Sequence, residues 1–125
     1  MSIAYFDDTA TLRIADSGGE IRRTVTRVKV DYTRGEKKDR AVMYIPLYHL
    51  RDMTFVSEKD WEDSGKLSGT FTVRPGDRFD YVNNGENGST PTGSVSTLTV
   101  TEVTVNTRGS HRMRHIKVIG EKENE

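Results

Sequence analysis

A chain of 125 residues and 14.1 kDa has the size of one compact domain, so a single β-domain over residues 1–125 is expected. Nineteen Lys and Arg balance nineteen Asp and Glu, which argues against an evenly basic nucleic-acid binder and leaves local patches open. There is no cysteine, which excludes a disulfide scaffold, a thiolate zinc site, an iron–sulfur cluster and a cysteine nucleophile, and only 33% of residues are hydrophobic, which predicts a thin core.

Alternation with period two, carried by Thr and Val, predicts an all-β fold: a small antiparallel barrel or sandwich of about six to eight strands, with long loops and at most one short helical turn. Residues 9–14 place Ala10, Leu12 and Ile14 on one face, and the turn residues Asp16, Ser17, Gly18 and Gly19 follow. Residues 22–32 read as a long strand with Thr24, Thr26, Val28, Val30 and Tyr32 on one face and Arg27, Lys29 and Asp31 on the other. A hairpin through the charged loop 33–39 leads to residues 40–45, where Ala41, Met43 and Ile45 oppose Val42 and Tyr44, and Pro46 ends the ladder.

Residues 57–63 (SEKDWED) are the predicted helical turn, with Ser57 as N-cap and acidic residues at its start. Residues 69–73, the turn Arg74-Pro75-Gly76-Asp77 and residues 79–82 suggest a second hairpin. The segment 83–93 (NNGENGSTPTG) has no apolar residue and reads as a solvated loop of unusual length. In residues 95–106 the apolar positions change from even (Leu98, Val100) to odd (Val103, Val105), which predicts a β-bulge near residues 100–102. The last strand has Ile116 and Val118 inward, and residues 120–125 are expected to fray.

No convergent catalytic set emerges, so no enzyme activity, metal or cofactor is expected. His111 and His115 lie four apart, but on a strand that spacing separates them by about 13 Å. The adjacent carboxylates Asp7-Asp8 and Glu62-Asp63 face opposite ways on an extended chain and read as solvated. Two features stand out: the basic run Arg108, His111, Arg112, Arg114, His115 and Lys117, a candidate contact strand or a protected sheet edge, and the polar loop 83–93. No stretch approaches the about 18 apolar residues that cross a bilayer, so a soluble, cytoplasmic protein with no membrane partner is expected.

The order of DDTATL, RTVTRVKVDY, VMYIP, TVRPGDRFDYV and VTEVTVNTRGSHRMRHIKVIGE resembles small neck proteins of tailed bacteriophages, the minor capsid or head-completion proteins, in particular those of phages of Firmicutes. The likeness is closest over residues 100–121, and the loop 83–93 departs from it. The resemblance implies a virion protein of the head–tail connector, assembled in the host cytoplasm. It would form a homo-oligomeric ring, of six or twelve subunits, below the portal or adaptor, close the DNA-filled head and dock the tail terminator or tail tube. Double-stranded genomic DNA would pass through its channel. On that reading Asn83, Asn84, Glu86 and Asn87, or Arg34, Lys37 and Lys38, face the channel, and Leu47, Tyr48, Leu50, Phe55 and Trp61 meet the portal side or a neighbouring subunit. A tail terminator, another neck component, or a nucleic-acid-binding barrel of the OB type are the alternatives; against the last, Phe71, Phe79 and Tyr81 are not interleaved with the basic run from Arg108 to Lys117.

Overall fold

Inward-facing residues of six strands meet in one core. The computed structural model describes residues 8–47, 53–66, 68–82, 95–109 and 114–123. The elements in chain order are β1 (Asp8–Asp16), β2 (Gly19–Thr33), β3 (Lys38–Pro46), β4 (Thr54–Phe55), α1 (Glu58–Asp63), β5 (Thr70–Phe71), β6 (Arg78–Val82), β7 (Val95–Asn106) and β8 (His115–Glu123). Six of them close into an antiparallel barrel in the order β1-β2-β3-β8-β7-β6, with β6 pairing back onto β1 from Ala10↔Tyr81 to Arg13↔Arg78. β4 and β5 form a separate parallel pair.

Ala10, Leu12 and Ile14 of β1, Ala41, Met43 and Ile45 of β3, Phe79 and Tyr81 of β6, Leu98 and Val100 of β7, and Ile116 and Val118 of β8 all point inward, as their alternation predicts. The core is fuller than the composition suggested. Among the described residues nineteen apolar ones are buried, because tight alternation concentrates a small apolar fraction on one side of the wall. Each large side chain among them contributes about 1.5–3 kcal/mol by leaving water.

Two bulges bend the wall. Thr101 is unpaired between Val100↔Gly120 and Glu102↔Ile119, where the apolar phase of β7 changes. The second bulge lies in β2 and corrects the expected face: β1 pairs through Thr9↔Thr26 and then Asp8↔Val28, leaving Arg27 extra, with φ 59 in the left-handed region. The phase of β2 reverses there, so Val25 is buried whereas Thr24 and Thr26 are exposed. The Asp8 carboxylate, expected to be solvated, is buried next to this irregularity and accepts the Val30 N–H at 2.9 Å.

The turn 74–77 forms, with the Asp77 N–H donating to the Arg74 carbonyl at 3.0 Å, but the strands on either side of it do not make the expected hairpin. β5 pairs with β4, and β6 enters the barrel between β1 and β7. Nor does the chain fray from residue 120: β8 runs to Glu123, held against β3 through Lys38↔Glu123.

Gly120 is required where it stands. A Cβ there would lie 2.5 Å from Phe79 Cε1 and 3.1 Å from Leu98 Cβ, and the Phe79 ring is fully buried, so a substitution forces the packing around it to shift. Gly120→Ala is therefore expected to destabilise the barrel by about 1–3 kcal/mol through overpacking. Combined with Phe79→Leu, it should cost less than the two single changes added together, which urea unfolding midpoints of the four proteins will measure.

Candidate functional site

Strand directions sort the loops between two ends of the barrel. At one end β2 passes to β3 through residues 34–37, and Val82 of β6 pairs with Val95 of β7, so the segment 83–94 leaves from that same end. At the other end lie the β1–β2 turn, the exit of β3, the entry of β6, and the passage from β7 to β8. The connection from β3 to β6 begins and finishes at this second end and closes it.

The closure is built around Trp61. Ser57 caps α1 by accepting the Asp60 N–H, and the helix stops in a Schellman arrangement: the Gly65 N–H donates to the Glu62 carbonyl and the Lys66 N–H to the Trp61 carbonyl, with Gly65 at φ 73. One helical turn thus aims the Trp61 indole into the core, where it is fully buried, with the Arg23 guanidinium 5.6 Å from the ring centroid. Arg23 also ties the connection down, donating from Nε to the Thr70 carbonyl at 2.9 Å. The Trp61 Nε1 has no hydrogen-bond partner among the described residues, a cost of about 1–3 kcal/mol that burial of the ring offsets.

Trp61 consequently cannot be the contact residue that the sequence suggested. Phe55 packs at 5.5 Å against Phe71, and Leu47 packs onto the core, so both serve the closure. Tyr48 and Leu50 lie outside the described residues. Val105 is the only large hydrophobic residue exposed among those described.

A polar clamp fixes the same end. Asp77 is buried and accepts the Ala15 and Arg74 N–H groups, each at 2.9 Å. Arg74 donates to the Ala15 carbonyl at 2.6 Å and faces Glu62 at 3.3 Å. Lys66 pairs with Asp16 and, at 3.5 Å, with Glu62. The hydrogen bond from Lys66 holds the Asp16 carboxyl below its ordinary range, and the same bond raises the Lys66 ammonium above its own.

At the open end, Arg34, Lys37 and Lys38 are exposed, and Lys38 pairs with Glu121 at 3.2 Å. Asn83, Asn84, Glu86 and Asn87 fall outside the described residues. Asp39 is buried, accepting the Gly35 N–H at 3.2 Å and the Tyr32 hydroxyl at 2.5 Å, and Tyr32 stacks on Tyr81 with centroids 6.3 Å apart. Burial first, and then this hydrogen bond to a carboxylate, push the Tyr32 phenol above its ordinary value.

The basic run does not form a sheet edge, because β8 lies between β3 and β7. His115 and Lys117 alternate with inward Ile116 and Val118 and so face outward, while Arg108 and Arg114 are exposed. His111 and Arg112 lie outside the described residues. Register brings to this face three residues that the sequence did not join to it. Lys29, Tyr44, Lys117 and Thr104 form one cross-strand rung over β2, β3, β8 and β7, and the His115 ring meets Tyr44 at 6.0 Å. Among the described residues Lys117 and Arg114 have no ion-pair partner. The charges outside β1 and β6, in contrast, are paired: Arg13 with Asp80 at 2.9 Å and Arg78 with Glu20 at 2.6 Å. Phe71, Phe79 and Tyr81, the aromatics weighed for an OB-type face, are buried and offer no surface ring.

The fold and its faces define a closed six-stranded antiparallel barrel with one capped end. No protein-family model matches the chain, and no curated protein or solved structure is detectably similar to it.

Both Tyr32 and Lys66 hold their protons more tightly folded than unfolded, so the stability that they contribute is complete below about pH 10 and is lost as the pH rises through their raised values. Thermal melts between pH 8 and 11 should show a falling midpoint, and Tyr32→Phe, which has no proton to lose, should flatten part of the fall.

Proposed function

We propose that this chain is a structural protein of the neck of a tailed bacteriophage, a ring subunit below the portal or adaptor that closes the DNA-filled head and receives the tail. The sequence resemblance over residues 100–121 suggests the family, and the observation that carries the reading is the division of the barrel into two unlike ends. A component stacked between portal and tail must present a different surface to each neighbour, so its subunit needs polarity along one axis. Here the charged turn 34–37 and the segment 83–94 leave one end, while the Trp61 closure and Arg108, Arg114 and His115 mark the other. The segment 83–94 carries a single charged residue, Glu86, and such a segment facing the channel would let DNA slide without gripping phosphates.

The full core favours polar ring contacts over apolar ones. A barrel that buries its own apolar residues does not need neighbours in order to fold, so subunits would associate through polar surfaces, head to tail, with complementary charge supplying specificity.

Mixing the purified protein with particles that have packaged DNA but lack it tests the reading. The expected outcome is a ring-sized gain in particle mass, together with DNA that remains protected from nuclease. Particles that leak DNA and take up no protein would overturn the proposal, and uptake by isolated tails rather than heads would replace head closure with tail termination.

A further inference from the structure

We propose that the outer face of β3 and β8, toward the capped end, binds single-stranded nucleic acid, with the Tyr44 ring as the platform for a base and Lys29, Lys117 and Arg114 as phosphate contacts. Tyr44 lies on the outward side of β3, opposite the buried Ala41, Met43 and Ile45, and is half-buried. Lys29 and Lys117 stand directly across from it on the strands to either side, two strand spacings or about 10 Å apart. A base stacked on the ring would therefore leave its flanking phosphates between two ammonium groups. The His115 ring, tilted at 60° to Tyr44, braces one side of the platform.

Two cations of this face lack a counter-charge. The cations outside β1 and β6 are neutralised by Asp80 and Glu20, and Lys29 pairs with Asp31 at 3.7 Å, whereas Lys117 and Arg114 have no ion-pair partner among the described residues. Asp31 and Glu102 stand on the adjoining rung toward the open end, with Val42 and Ile119 between them. Repulsion from Glu102 directs a bound strand the other way, toward Arg114, and a bound phosphate would compete with Asp31 for Lys29. An acidic protein segment would satisfy the cations but would leave the aromatic platform unused, and a duplex keeps its bases stacked on one another, so a single strand fits both features. Binding at this face does not depend on a role in the neck, and the particle experiment neither supports nor removes it.

Fluorescence anisotropy of a labelled oligo-thymidine single strand, titrated with the full chain, provides the test. The expected result is saturable binding whose log affinity falls with log salt at a slope of about −2, from three phosphates at about 0.7 each. Tyr44→Leu, which keeps an apolar side chain on the strand, should weaken binding about 5- to 150-fold. Lys117→Gln should reduce the slope by about 0.7, while Lys38→Gln at the opposite end should change neither quantity. Circular dichroism melts establish that each variant is folded, and Lys117→Gln keeps the test decisive if Tyr44→Leu is not. Absence of saturable binding at low salt, equal affinity for the matching duplex, or affinity unmoved by both face variants would overturn the proposal. Tighter capture of polyglutamate than of the oligonucleotide would overturn it too, in favour of an acidic protein partner.

Discussion

The barrel closes because one short strand enters it at the correct height, and Asp77 sets that height. Its carboxylate holds the Ala15 N–H at the end of β1 and the Arg74 N–H at the start of the turn, while its carbonyl accepts the Val100 N–H of β7 at 2.7 Å. Three segments distant in sequence are thereby fixed around one buried side chain before β6 begins. A charged group inside a protein is tolerated when its oxygens are fully employed, and here their employment is the junction of the fold. The Gly76 N–H, donating to the carbonyl of Val100 at 2.8 Å, extends the ladder backwards into the turn and leaves Thr101 as the residue that must bulge.

From that junction follows the contrast between the two ends. The chain between β3 and β6 has to cross the end at which both strands stop, and a single helical turn carrying Trp61 is enough to fill it, because the inward residue Arg23 supplies a cationic cover and two hydrogen bonds to the crossing chain. The opposite end has no crossing chain among the described residues. Its order comes from polar side chains instead, with Asp39 gathering the β2–β3 turn and Tyr32 bridging it to Tyr81. One end is sealed by apolar packing over a polar clamp and the other is organised by hydrogen bonds among the described residues, so the two respond differently to substitution.

How far the sequence reveals this depends on how ambiguous each side chain is. Met43 and Ile45 have only one comfortable environment, so the face of β3 is legible at once, and the change from Leu98 and Val100 to Val103 locates the β7 bulge. Threonine suits either face, which is why Thr24 and Thr26 conceal the reversal at Arg27. The charged sequence around Trp61 suggests a solvated turn, and only the closing of the barrel end makes its single aromatic residue a plug. Pairing between β4 and β5 spans two residues, too few to leave any periodic signal. The Lys29–Tyr44–Lys117 rung joins three separate strands, and nothing local in any of them records that they are neighbours. Asp8, Asp39 and Asp77 look like ordinary surface charges because their partners are backbone N–H groups, which every residue except proline has.

The position of β8 has a consequence for how the molecule is made. It is inserted between β3 and β7, so the wall cannot be completed until residues 115–123 have been synthesised. Until then the nascent chain holds two unsatisfied strand margins, along β3 and β7, each able to recruit the wrong partner. Lys38 and Arg40 on one margin and Glu102 on the other are charges that discourage such pairing. On the finished barrel Lys38 instead receives Glu121, so a residue that would guard the waiting edge also helps to fasten the strand that ends the wait.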